Sequence, residues 1–167
     1  MGMTDLGRRS LLASISAVAL APRMAWAEDY IDLEWDDLLP EGEVAQSSVL
    51  QDFIDHTKSG LMSSQPAYNG VRGDWNGKTV RIPGFIVPID YSGTGVTAFI
   101  LVPFVGACVH VPPPPANQLV FVTTEKPYET AGLYEPVNVI GMFGTASTRT
   151  QLAEVAYALS ADRIEPY

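Results

Sequence analysis

Residues 78–89 read KTVRIPGFIVPI. The run is dense in β-branched and aromatic side chains, which fit a pleated, half-buried surface. Gly84 interrupts it. A glycine inside a strand pattern predicts a bulge or a sharp bend. Residues 137–143 (VNVIGMF) repeat the arrangement around Gly141. Between and beyond them lie three more strand-like runs: 96–102 (VTAFILV), 119–124 (LVFVTT) and 157–164 (YALSADRI). The run at 96–102 is apolar enough for both its faces to be buried. Five short strands with two glycine bends predict a mainly β fold, a small five-stranded OB-like barrel over residues 77–167. A β-sandwich is the alternative arrangement. A helical piece fits residues 147–155.

Upstream, the character of the chain is different. Residues 28–43 (EDYIDLEWDDLLPEGE) form an acidic arm with Trp35, Leu38 and Leu39 as apolar anchors. Its carboxylates read as a solvated face. Ser47 or Ser48 can cap a helix over residues 49–58, where Val49, Leu50, Phe53 and Ile54 share one stripe. Residues 61–76 are turn-rich and predict a surface loop. Arm, helix and loop together make residues 28–76 a lead-in to the barrel.

Residues 1–27 have the three parts of an export signal. Arg8 and Arg9 form a twin-arginine pair, an apolar run occupies 11–20, and Ala25-Trp26-Ala27 offers a cleavage site. The context RRSLL resembles a twin-arginine (Tat) signal, with an ordinary Sec signal that carries two arginines as the alternative. The apolar run is shorter than the roughly 20 residues that span a bilayer, and the leader has no cysteine for lipid attachment. The expected product is a periplasmic protein, neither lipid-anchored nor membrane-embedded. The whole chain carries a net charge of −9. The leader's three arginines and one aspartate take +2 away with it, leaving −11. Such a body repels phosphate backbones and disfavours a nucleic-acid partner.

Residues 106–118 read GACVHVPPPPANQ. Cys108 is the one cysteine of the chain, so no intrachain disulfide can form. In extended backbone Cys108 and His110 project to one face, with Cα atoms about 6.5–7 Å apart. A thiolate and an imidazole so placed can grip a soft or borderline cation, with zinc favoured and copper less so. Completing the site takes further ligands: a carboxylate such as Asp90, His56, or water. Pro112, Pro113, Pro114 and Pro115 hold the following backbone near polyproline II and stiffen the segment before anything binds. Asn117 and Gln118 end it with amides able to bond free carbonyls. Each feature also has a plain structural reading: a buried thiol, a hydrogen-bonding histidine, a rigid loop, and a turn carboxylate at Asp90.

GKTVRIPGFIVPID, FILVPFVGACVHVPPPPANQ, PVNVIGMFG and the closing YALSADRIEPY together resemble a family of exported bacterial proteins of unknown function, DUF3299. The resemblance covers most of residues 74–167. It implies a periplasmic or lipoprotein setting beside ABC export systems of the MacB type, some of them under zinc control. The positions it carries over as candidates are Cys108, His110, Pro112 to Pro115, Asn117 and Gln118, with Asp90 where the family has a carboxylate. The missing lipid-attachment cysteine is a departure from the lipoprotein members.

Three functions follow as expectations. The first is a soluble periplasmic metal-handling accessory protein, binding zinc through Cys108, His110 and Asp90 and serving an ABC export system. The second uses the rigid proline loop as a docking surface for a partner, without metal. The third is a hydrolase with Cys108 as nucleophile and His110 as base, which lacks an identifiable orienting group.

Overall fold

A computed structural model of the chain describes residues 29–42, 65–109 and 113–167. The run containing Gly84 becomes the long strand Thr79–Ser92 (β2), preceded by a two-residue strand, Ile31–Asp32 (β1). Gly95–Val102 (β3), Val120–Tyr128 (β4), Pro136–Arg149 (β5) and Glu154–Pro166 (β6) follow. Around the barrel the order is β2-β3-β4-β6-β5, closed by pairing of β5 back onto β2. Only β4–β6 within this ring is parallel. This is the five-stranded OB-like barrel expected from the sequence, with β1 added outside it.

Closure depends on β2 serving two neighbours. Its first half pairs with β5 and its second half with β3, and Phe85 is partner to both Pro136 and Val102. Gly84 stands at this corner: a Cβ there would lie 2.7 Å from Leu101 Cγ and 3.0 Å from the Val102 carbonyl oxygen. The register runs unbroken through Gly84, so the glycine marks a close approach; the irregularity in β2 falls between Pro88 and Tyr91. At Gly141 the expected irregularity is present, as a register shift between Ile140 and Gly141 against β6.

The barrel interior is filled by alternate residues of every strand, among them Val80, Ile82, Phe99, Leu101, Val122 and Tyr157. Leu33 and Leu38 join them from the acidic arm, which adds a 3-10 helix at Trp35–Leu38. A second cluster lies on the outer face of β2 and β3, where Val87, Ile100 and Val102 meet Ala107 and Leu119 of the β3–β4 connection. β3 is thereby buried on both sides, as its apolar run predicts.

Two helix expectations resolve differently. Residues 147–155 form no helix: β5 and β6 continue to the pairs Thr148↔Val155 and Arg149↔Glu154. The tip is a tight turn in which Thr150 bonds Ala153 through both its backbone N–H and its hydroxyl. Cross-strand pairing outweighs the local helical pattern there. The helix expected over residues 49–58 lies outside the described residues. Among the described residues the helices are two 3-10 turns, Trp35–Leu38 and Ala116–Gln118, and no helix is long and apolar enough to cross a membrane.

Candidate functional site

The β3–β4 connection leaves the barrel as a series of bends and turns over residues 103–109. Cys108 and Val109 are therefore turn residues, where an extended strand was expected. Cys108 sits in the left-handed region at φ +67°. Among the described residues, Tyr134, in the β4–β5 connection, is the other non-glycine residue with positive φ, at +64°. For L-residues this conformation costs about 1–2 kcal/mol each. The two residues share one apolar cluster with Phe104, and the Tyr134 hydroxyl donates to the Ala107 carbonyl at 2.7 Å. Two strained backbones thus lean on each other across two loops.

Burial pushes the Cys108 thiol up to about 11, and no charged group among the described residues contributes. At neutral pH the sulfur is protonated and a poor nucleophile, opposite to the activated thiolate of a cysteine hydrolase. The folded thiol keeps its proton at pH values where an unfolded one has lost it. Its contribution to stability is whole below the ordinary thiol pKa and fades as pH rises toward 11. Alkylation of Cys108 in the native protein is accordingly expected to be slow at pH 7–8 and to accelerate steeply above pH 10. A fast rate at pH 7 would overturn the buried-thiol description.

The second loop is braced from below. Glu135 accepts hydrogen bonds from the Thr130 hydroxyl (2.7 Å), the Ala131 N–H (2.6 Å) and the Tyr128 hydroxyl (2.9 Å). Burial works to raise its carboxyl, but those three bonds outweigh it and hold the group below the usual carboxylate range. Backbone bonds between Tyr134, Glu135 and Ile86 fasten the loop to β2. Above this frame Val105 (61 % exposed), Val109 (47 %) and Leu133 (49 %) turn outward.

The end of the proline run points inward. Pro114 and Pro115 are buried, and the Pro114 carbonyl accepts from Gln65 Nε2 at 2.8 Å. Asn117 Nδ2 donates to the Gly70 carbonyl and Gln118 Nε2 to the Trp35 carbonyl. The amides thus tie the acidic arm and the 65–76 segment to the barrel, and Gln118 Nε2 also donates to the loop's own Asn117 carbonyl at 3.2 Å. Asn117 Oδ1 is buried with no hydrogen-bond partner. Asp90 is exposed on β2 opposite Ala98. That is four residues, about 13 Å, along β3 from the point where the loop begins, and Asp90 does not act on the Cys108 thiol. His110, Pro112 and His56 lie outside the described residues. Among the described residues no three His, Cys, Asp or Glu side chains gather as a metal cluster. A groove of about 440 Å³ opens elsewhere, between Tyr68 and the β5–β6 turn at Leu152.

Residues 35–166 match the family model of DUF3299, a protein family of unknown function. The chain belongs to the DUF3299 family. Among solved structures, a DUF3299 family protein from Pseudomonas aeruginosa PAO1 is similar to it, at 35% identity and a TM-score of 0.68, covering 83% of this chain and 97% of that one. No curated protein matches.

Sequence reasoning on this DUF3299 chain missed Tyr134, Glu135 and Gln65. Gln65 uses both ends of its amide: Oε1 accepts from the Glu154 N–H, and Nε2 donates to the carbonyls of Glu154 and Pro114. Nothing in its turn-rich surroundings marks it. Tyr134 and Glu135 sit in AGLYEP, a stretch that reads as an ordinary turn; a tyrosine beside a glycine turn gives no sign of a partner loop.

Proposed function

We propose that this DUF3299 protein is a non-enzymatic accessory protein of the bacterial periplasm that docks a partner protein, a component of a MacB-type ABC export system. The docking surface is formed by loops 103–109 and 129–135. One observation carries the reading: Val105, Val109 and Leu133 present apolar side chains to solvent from two loops already locked together through Tyr134 and Ala107. Single exposed apolar residues need no explanation, but a grouped set on a fixed frame marks an interaction surface. Preordered loops lose little entropy on binding. The outer face of β3, which OB barrels commonly use for oligonucleotides or oligosaccharides, is here packed beneath the β3–β4 connection. Recognition then falls to the loops themselves.

Site-specific photocrosslinking tests this. A benzophenone side chain at Val105 or Leu133 is expected to capture one envelope transport protein in producing cells, while the same group at Asp162, on β6, captures none. Equal capture at all three positions, or none at Val105 and Leu133, would sink the proposal.

A second reading rests on Cys108 being held at positive φ, since strained backbone concentrates at ligand sites. In this reading Cys108 and His110, with Asp90 as a further candidate, bind zinc. The protonated thiol must then give up its proton to the metal, so affinity rises with pH. Zinc at slight excess is expected to protect Cys108 from alkylation at pH 8 in the wild type and to fail in His110→Ala. Absence of protection in the wild type removes this reading.

A further inference from the structure

We infer that the segment received by the two-loop surface is both apolar and basic: a stretch of partner protein that places aliphatic side chains on Val105, Val109 and Leu133 and lysines or arginines around them. The inference rests on the docking reading and adds the chemistry of the partner.

It comes from how charge is distributed over the barrel. From Phe85 to Glu135 the charged side chains are Asp90, Glu125, Lys126, Glu129 and Glu135. This half supplies β3, β4, both loops and the second half of β2, and its carboxylates outnumber its ammonium groups four to one. The described arginines lie elsewhere, each beside a carboxylate of its own: Arg72 with Asp74 (2.8 Å), Arg81 with Asp32 (3.5 Å), Arg149 with Glu154 (3.4 Å) and Arg163 with Glu165 (2.8 Å). Lys78 lies over the Trp75 ring. Asp90, Glu125, Glu129 and Glu135 enter none of the ion pairs among the described residues. Glu129 and Glu135 belong to the same loop as Leu133, and Glu135 is held in its charged form by its three donors. Asp90 follows Ile89, which packs in the cluster beneath the loops.

Exposed apolar side chains on the half of the barrel whose carboxylates outnumber its cations select among occupants. Anionic lipid headgroups and nucleic acids are repelled by that half. A second copy of this chain would bring the same negative excess against its own. A basic, apolar protein segment satisfies both features, and its charges would speed encounter and make binding sensitive to salt.

The test uses the purified protein and four probes: an amphipathic Leu/Lys peptide, its Leu/Glu and Leu/Ser counterparts, and phosphatidylglycerol vesicles. The expected result is saturable binding of the Leu/Lys peptide alone. Val105→Ser and Leu133→Ser should each weaken it about tenfold. Asp90→Asn with Glu129→Gln should weaken it about threefold and flatten its salt dependence. If the Leu/Ser or Leu/Glu peptide binds as well as Leu/Lys and remains sensitive to Val105→Ser, the charge inference falls while docking stands. Preferential binding to the vesicles overturns the inference in favour of a lipid surface. If no peptide binds, or if Leu/Lys binding ignores both serine variants, the docking reading falls with it.

Discussion

Gly141→Ala is expected to destabilise the protein by about 3–5 kcal/mol, above the roughly 1–3 kcal/mol that overpacking usually costs. The reason is where the added methyl would go. It would overlap the Ser160 carbonyl oxygen and lie 2.8 Å from Ala161 Cα. Both obstacles are backbone atoms of β6, so no side-chain rotation makes room. Strand β6 is held on its far side by the parallel pairing with β4, from Val120↔Tyr157 to Thr124↔Ala161. To yield at Gly141 it must also move at β4. The disturbance therefore enters the closed ring itself, and the soluble yield of the variant should drop with its stability. Gly144→Ala, three residues on in the same strand, is the control: its Cβ meets nothing nearer than Asn76 Oδ1 at 3.8 Å, and a change within about 1 kcal/mol is expected. Denaturant unfolding of the two variants beside the wild type checks the contrast. Equal loss in both would show that the close crossing at Gly141 is not what closes the barrel.

That contrast also bears on what the sequence could disclose. The two interrupted β runs pointed to a barrel because glycine in a strand has few other uses, and both glycines do stand where backbones pass closely. The strand at 96–102 announced its double burial through unbroken apolarity. Its second covering layer is the β3–β4 connection, a long-range partner that local pattern cannot name. Residues 147–155 misread for a nearer reason: the stretch folds back on itself, Thr148 pairing with Val155 and Arg149 with Glu154, and that pairing decides its conformation. The candidate site was only partly legible. Its composition singled out Cys108 and the prolines, yet the conformation of Cys108 depends on Tyr134, twenty-six residues away and in a stretch with no distinguishing pattern. Asn117 and Gln118 were noticed as amides near a loop, but their acceptors, Gly70 and Trp35, come from parts of the chain whose path no periodicity fixes. Hydrogen-bond partners between irregular segments are set by the finished packing, and that is where residue-level reading ran out.

The same packing makes Tyr157 the most consequential single hydrogen-bonding side chain. Tyr157→Phe is expected to cost about 2–4 kcal/mol, because one hydroxyl serves two backbone groups that have no substitute. The Tyr157 hydroxyl donates to the Leu38 carbonyl at 2.6 Å and accepts from the Arg72 N–H at 2.7 Å. The ring itself, tilted against Phe143 at 5.2 Å, would be kept by phenylalanine, so the loss isolates the hydroxyl. A fall in Tm of roughly 8–15 °C is the matching calorimetric expectation for a domain of this size. The effect should also reach loops 103–109 and 129–135. Leu38 and Arg72 belong to the two segments whose carbonyls, Trp35 O and Gly70 O, receive Gln118 and Asn117. Those amides fix the C-terminal end of the β3–β4 connection that carries Cys108 and Val105. Releasing the arm at Tyr157 loosens that anchor, and Cys108 should become several-fold easier to alkylate at pH 8 under conditions where the variant is still folded. A variant with lowered Tm but unchanged Cys108 reactivity would separate the arm from the loop and confine the role of Tyr157 to the barrel core.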